Sequence, residues 1–260
     1  MLNIKTTTVA FITLLLILSI LSCFISISFI FFVLIIALYV MVLAYGSYFI
    51  NSHFYIRTIC SKKNNNKEIA ITFDDGPVKE ITPLIIDVLK EFDIKAAFFC
   101  IGNRIVDNKS ILKQINNEGH IIGNHSYSHS CYFDFFSSKR MTEELIKTED
   151  IIFQTIGEKV KYFRPPYGVT NPALKKAVSK MNYTVIGWSL RSLDTKNKDY
   201  RKILNRVKRK LKPGDIILFH DVNPEIINVL RNFIKYALSN NYKIIRLDKL
   251  LNIDAYENQQ

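Results

Sequence analysis

From residue 9 to residue 50 the chain carries no ionisable side chain other than tyrosine and cysteine, and this run limits the fold more than any other feature. As a helix it would extend roughly 63 Å, about twice the hydrocarbon thickness of a bilayer. A secretory signal has an apolar core of only about 7–15 residues, so the run is not a simple cleaved signal. A core helix would alternate apolar and polar faces, and this stretch is apolar all round. The reading is a transmembrane hairpin that turns near "SCFISIS" (22–28), where small polar residues cluster. Residues 1–60 are expected to be the membrane anchor, in contact with lipid, and "SKKNNNKE" (61–68) opens a polar linker over 61–67. The remaining segment, 68–255, is expected to be one domain. The membrane localisation does not fix its side. Arg57, Lys62, Lys63 and Lys67 outweigh Lys5, which favours a cytoplasmic exit, but large domains translocate largely regardless of charge.

The formal net charge is +12, and Lys5 is the only charged side chain in the first 50 residues. A basic domain beside a membrane suits anionic lipid or an acidic polymer. Nucleic acid is not an expected partner, because the chain has no stacking motif, zinc-finger spacing or helix-turn-helix signal. Cys23, Cys60, Cys100 and Cys131 contain no CxxC pair and indicate neither a metal knuckle nor a disulfide framework.

After residue 67, strand-like and helix-like stretches alternate. Strands are expected at 68–73, 96–102, 120–125, 162–163, 183–190, 215–220 and 243–247. Helices are expected at 81–92, with Thr82 as N-cap and Pro83 in the first turn, and at 105–118, 139–156, 172–181, 200–211 and 225–238. Strands joined by crossover helices pair in parallel, which gives an α/β barrel or an open doubly wound sheet. Either design puts functional residues where strands end.

Four motifs lie at such ends. "TFDDGP" (72–77) places Asp74 and Asp75 where a strand breaks into a turn, so the two carboxylates can lean over one opening. "HSYSH" (125–129) holds His125 and His129 at i, i+4, on one face if the stretch turns helically. Two histidines and one carboxylate make a three-ligand set that leaves a position open, as catalytic zinc requires. If Asp75 is the ligand, Asp74 is free to act as a general base. "RPPYG" (164–168) offers Arg164 to hold a carboxylate and a stiff loop that presents Tyr167. "LFH" (218–220) ends a strand on His220, suited to a general acid beside an acidic neighbour such as Asp194. Taken singly, each motif is equally consistent with an ordinary turn, a surface pair or a core histidine.

Together and in this order, the four motifs resemble the signature of the polysaccharide deacetylase family, carbohydrate esterase family 4, with its NodB homology domain. The resemblance covers essentially all of 68–255 and leaves the anchor outside. It implies a distorted, incomplete (β/α) barrel preceded by the hairpin, and zinc or a related divalent ion such as cobalt on Asp75, His125 and His129. It implies Asp74 as base, Arg164 as the residue orienting it, and Tyr167 as the source of a backbone N–H for the oxyanion. It also implies His220 as acid, with Leu218 walling the pocket for the acetyl methyl. The activity implied is hydrolysis of an N-acetyl group on a glycan.

One motif departs from the family pattern. Where the family typically carries Asp-x-x-Asp-Trp, this chain reads "RSLDT" (191–195). Asp194 remains as the partner of His220, while Arg191 and Thr195 replace the first acid and the tryptophan. The groove wall, and so the sugar, is therefore open. Trp188 is the only tryptophan and is a candidate surface for a sugar ring or a core residue. The alternatives are an O-acetyl esterase and a catalytically degenerate, membrane-tethered glycan-binding module.

Overall fold

The computed structural model describes residues 3–257. Two helices open the chain, α1 (Ile4–Ser22) and α2 (Ile30–Tyr48), each of 19 residues. At that length each spans about 28 Å, enough to cross a hydrocarbon core. They pair along their length, with Thr8 Oγ1 and Tyr39 OH 2.8 Å apart. Outward apolar side chains of both helices remain exposed, as do Phe24 and Phe29 in the turn between them.

The chain then alternates strand and helix. The first part comprises β1 (Glu68–Asp74), α3 (Thr82–Glu91), β2 (Ala97–Cys100), α4 (Gly102–Asp107), α5 (Lys109–Asn117), β3 (Ile121–Asn124), α6 (Ser138–Ile156) and β4 (Tyr162–Phe163). The second comprises α7 (Pro172–Lys180), β5 (Thr184–Val185), β6 (Leu190–Arg191), α8 (Tyr200–Lys210), β7 (Ile216–His220), α9 (Ile226–Ser239), β8 (Lys243–Ile244) and α10 (Leu247–Leu251). All strand pairs are parallel, in the order β5-β4-β3-β2-β1-β7-β6, with β8 beside the start of β1. The sheet curls, helices cover it, and β5 and β6 do not pair. This is the distorted, incomplete (β/α) barrel, and the open doubly wound sheet is excluded.

The core is apolar on both sides of the sheet. Phe73, Phe98 and Phe219 stack on β1, β2 and β7, with neighbouring ring centroids 5.0 and 5.9 Å apart, against α3 and α9 residues such as Ile85, Leu89 and Phe233. Strands buried on both faces read as continuous apolar runs, as "IAITF" and "IILF" do.

Several local expectations change. The helix expected over 105–118 is two helices broken at Asn108. The strand expected over 183–190 survives only at its ends, because the Ile186 and Gly187 carbonyls turn to Arg164 instead of a neighbouring strand. Thr82 does not cap α3. Its hydroxyl donates to Asp221 Oδ2 at 2.5 Å and accepts from Val78 N–H.

The stretch placed with the anchor up to residue 60 also packs differently. Phe54, Tyr55 and Ile56 are buried in the main core, worth about 1.5–3 kcal/mol per large apolar side chain. Ile59 then bridges Ile186, donating to Val185 O and accepting from Gly187 N–H. This strap occupies the seam that β5 and β6 leave open, so the helix pair is joined to the barrel wall beside the motifs.

Candidate active site

Parallel pairing gathers the strand C-terminal ends on one face. In register, Asp74 lies beside Phe99 and His220, Cys100 beside Asn124, and Asn124 beside Phe163. The residues following these ends converge on one pocket of about 180 Å³, lined by Asp74, Asp75, His125, His129, Leu218 and His220, with Tyr167, Trp188 and Arg191 at its wall. All ten expected site residues except Arg164 and Asp194 line it, and those two lie directly behind lining residues.

Asp74 ends β1, and Asp75 follows in the left-handed region (φ 78°). That reversal is why neighbouring carboxylates share one opening, where continued strand would have sent them to opposite faces. Arg104 Nη1 donates to Asp75 O at 2.6 Å, and Ile101 N–H donates to Gly76 O at 2.8 Å, fixing the turn. A Cβ at Gly76 would collide with the Asp221 carboxylate.

His125 and His129 meet, but not on a helical turn. The stretch is a loop with left-handed Ser126 (φ 65°) and His129 (φ 46°), conformations that cost about 1–3 kcal/mol each in a non-glycine residue. Glu144 on α6 offsets that cost, its Oε2 accepting from Tyr127 N–H, Ser128 N–H and Ser128 Oγ. His125 Nδ1–H donates to Arg164 O at 2.8 Å, so in the neutral ring Nε2 is left as a lone pair.

The Nε2 atoms of His125 and His129 lie 3.5 and 3.3 Å from Asp75 Oδ1, and the three donor atoms all lie within 4.8 Å of one another. Two ligands about 2.1 Å from one tetrahedral cation are about 3.4 Å apart. The spacing therefore fits a divalent ion, and a lone pair facing a carboxylate oxygen is repulsive without one. Burial and the neighbouring His125 push the His129 ring down to about 4, which keeps it neutral and able to ligate. Burial alone would raise the Asp75 carboxyl, while positive charge on the surrounding His125, His220 and His129 would hold it well below the usual carboxylate range, and with neutral rings a divalent cation would supply that charge.

Arg164 is fully buried, and its guanidinium lies 4.0 Å from the Phe99 ring centroid. It donates to Asp74 Oδ1 (2.6 Å), Thr72 Oγ1 (2.8 Å), Gly187 O (2.8 Å) and Ile186 O (3.2 Å). Across the pocket, His220 Nδ1 pairs with Asp194 Oδ1 at 2.7 Å, and His220 N–H donates to Asp194 Oδ2 at 2.8 Å. Burial would lower the His220 ring, but the bond and charge of Asp194, with Asp74 and Asp75 beyond, raise it.

Leu218 is buried on β7, and Tyr167 (φ 57°) is half exposed, its ring 4.8 Å from that of His129. Trp188 is partly buried, with the Arg164 and Arg191 guanidinia 5.8 and 5.7 Å from its ring. It forms the pocket wall and not the core. Sequence reasoning missed Glu144, Arg104 and Asp221. Asp221 is wholly buried, which pushes its carboxyl up to about 7 despite the Thr82 bond. Only its position directly after His220 signals it.

Comparison with known proteins matches this arrangement. The family profile described as "Polysaccharide deacetylase" fits residues 61–186. A crystal structure of a peptidoglycan N-acetylglucosamine deacetylase superposes with a TM-score of 0.73 at 31% identity, covering 77% of this chain and 95% of that one. The chain belongs to the polysaccharide deacetylase family. Its relatives in this family include a peptidoglycan-N-acetylglucosamine deacetylase of Bacillus cereus, 39% identical over 60% of this chain and 56% of that protein. Another family structure, a pseudoenzyme from Bacillus anthracis, superposes with a TM-score of 0.70 at 29% identity, over 75% of this chain and 69% of that one. The chain spans 56% of the length of that Bacillus cereus protein and 40% of a Listeria monocytogenes deacetylase, but 90% of a second Bacillus cereus peptidoglycan-N-acetylglucosamine deacetylase, to which it is 33% identical.

Proposed function

We propose that this chain is a membrane-anchored, divalent-metal-dependent N-deacetylase of a glycan. The observation that carries the reading is the pairing of a three-donor cluster at cation spacing with a free carboxylate on one side and an acid-paired histidine on the other. Zinc, or cobalt in its place, would be held by Asp75, His125 and His129, and would supply Lewis-acid polarisation of a water and of the acetyl carbonyl. Asp74, fixed by Arg164, takes the proton from the attacking water. The Tyr167 backbone N–H donates to the oxyanion that develops on the carbonyl oxygen. His220, kept protonated by Asp194, gives its proton to the departing amine. Leu218 receives the acetyl methyl and Trp188 a sugar face.

The test is acetate release by the full chain in detergent, with zinc or cobalt, from chito-oligosaccharides, peptidoglycan fragments and lipid-linked N-acetylhexosamines. Acetate that disappears in Asp75→Ala and His129→Ala is the expected result. The likeness to a family pseudoenzyme supports one rival, a glycan-binding module. Glycan binding retained in Asp74→Asn, with no acetate from the unmodified chain on any substrate, would establish that rival.

A further inference from the structure

A second and larger cavity, about 780 Å³, lies between the membrane end of the helix pair and the barrel. The membrane-side wall is Tyr48, Phe49 and Ile50, where α2 ends and the strap begins. Its far wall includes Tyr167, Trp188 and Arg191, which also line the catalytic pocket, so the two spaces share one partition.

The chemistry of this cavity is one-sided. His53, Arg57, Lys62, Arg191 and Arg206 line it, and no aspartate or glutamate does. Among the described residues, Arg57, Lys62, Arg191 and Arg206 form no ion pair. Arg206 Nε donates to Arg191 O at 2.8 Å, holding two guanidinium residues side by side, while Arg191 Nε is buried with no partner. Cations that line one cavity without counter-ions repel one another, and an anion with several acceptor oxygens relieves that repulsion.

We propose that this cavity binds the phosphate of a lipid-linked glycosyl phosphate and so presents the attached N-acetyl sugar to the catalytic pocket. The proposal rests on the N-deacetylase reading of the site and on the helix pair being a membrane anchor. The phosphate of a lipid-linked sugar lies at the headgroup level, which is where α2 would leave the bilayer, at Tyr48 and Phe49. In a 2-acetamido sugar the carbon bearing the phosphate adjoins the carbon bearing the acetamide. A phosphate on the Arg191 side of the partition therefore leaves the amide on the catalytic side.

The experiment uses the full chain in phosphatidylcholine nanodiscs and two independent readouts. The first is the Kd of a fluorescent polyprenyl phosphate that carries no sugar. Arg57→Gln and Arg206→Gln are each expected to weaken it about tenfold, the worth of one charge-assisted contact, and added salt is expected to weaken it further. Arg57 is exposed, so that variant does not threaten folding.

The second readout is kcat/KM for acetate release from polyprenyl-phosphate-linked N-acetylhexosamine, from UDP-N-acetylhexosamine and from a neutral N-acetylated disaccharide. The lipid-linked substrate is expected to lead the neutral one by tenfold or more, and both arginine variants are expected to narrow that ratio. Binding indifferent to both substitutions, or a neutral substrate handled as well as the phosphorylated one, overturns the proposal. Equal handling of the UDP-linked sugar overturns the lipid as the source of the phosphate. No acetate from any substrate, with arginine-dependent phosphate binding intact, would sink the deacetylase reading while the cavity assignment stands.

Discussion

On one flank of the catalytic pocket an arginine holds a carboxylate; on the other a carboxylate holds a histidine. Asp74 takes its bond from Arg164, a fixed charge that cannot leave as a proton at working pH. His220 takes its partner from Asp194, and the bond raises the ring so that it keeps its proton longer. In the proposed mechanism the same residue type, aspartate, serves as a proton acceptor on one side and as a support for a proton donor on the other. What separates the two roles is the neighbour each aspartate meets. One pocket can then run acid and base chemistry at one pH.

That comparison can be broken from either flank. The largest effect is expected on the Arg164 side. Asp74→Asn keeps shape but cannot accept a proton, and kcat should fall by about 10³-fold or more. Arg164→Met leaves Asp74 buried without its countercharge and should cost about 3–5 kcal/mol of stability, read by denaturant unfolding. On the other flank, His220→Ala should lower turnover of an N-acetyl substrate about 10²-fold, and of the matching O-acetyl ester by less, because an alcohol leaves more readily than an amine. Equal losses on both would remove this argument for an amide substrate.

Asp194→Asn should cost less at neutral pH but change the pH profile. His220 is raised above its ordinary value of about 6.5, so activity falls as pH rises through its folded-state pKa. Without Asp194 that alkaline limb should move to lower pH, as a kcat profile would read. By linkage, the same raised ring adds stability fully present below pH about 6.5 and lost as pH rises through the folded pKa, a difference a pair of thermal melts would detect. The smallest effect is expected from Trp188→Phe, a few-fold rise in KM with kcat retained.

The parallel sheet and the pocket at its strand ends were legible in the sequence for one reason, while the choice of a barrel over an open sheet came from the family resemblance. Parallel strands end on one face, so motifs such as "TFDDGP" and "LFH" that terminate apolar runs had to meet there. Interactions between residues far apart in sequence were not legible. The histidine pair depends on left-handed Ser126 and His129, braced by Glu144 from the next helix, and spacing alone suggested a helical turn. Thr82 looked like a cap because caps are local, yet its hydroxyl serves Asp221 across 139 residues. The strap was hidden because Phe54, Tyr55 and Ile56 continue the apolar character of the two N-terminal helices, and only the unfilled seam of the barrel tells strap and helices apart.

The division of labour between two adjacent aspartates is the core of this account, and metal content tests it most directly. Asp74→Asn and Asp75→Asn would be purified as full chains, zinc measured by mass spectrometry, and acetate release assayed on the same samples. The account predicts that Asp74→Asn keeps its zinc and loses turnover, while Asp75→Asn loses both. Zinc lost from Asp74→Asn, or retained at full stoichiometry in Asp75→Asn, would contradict it.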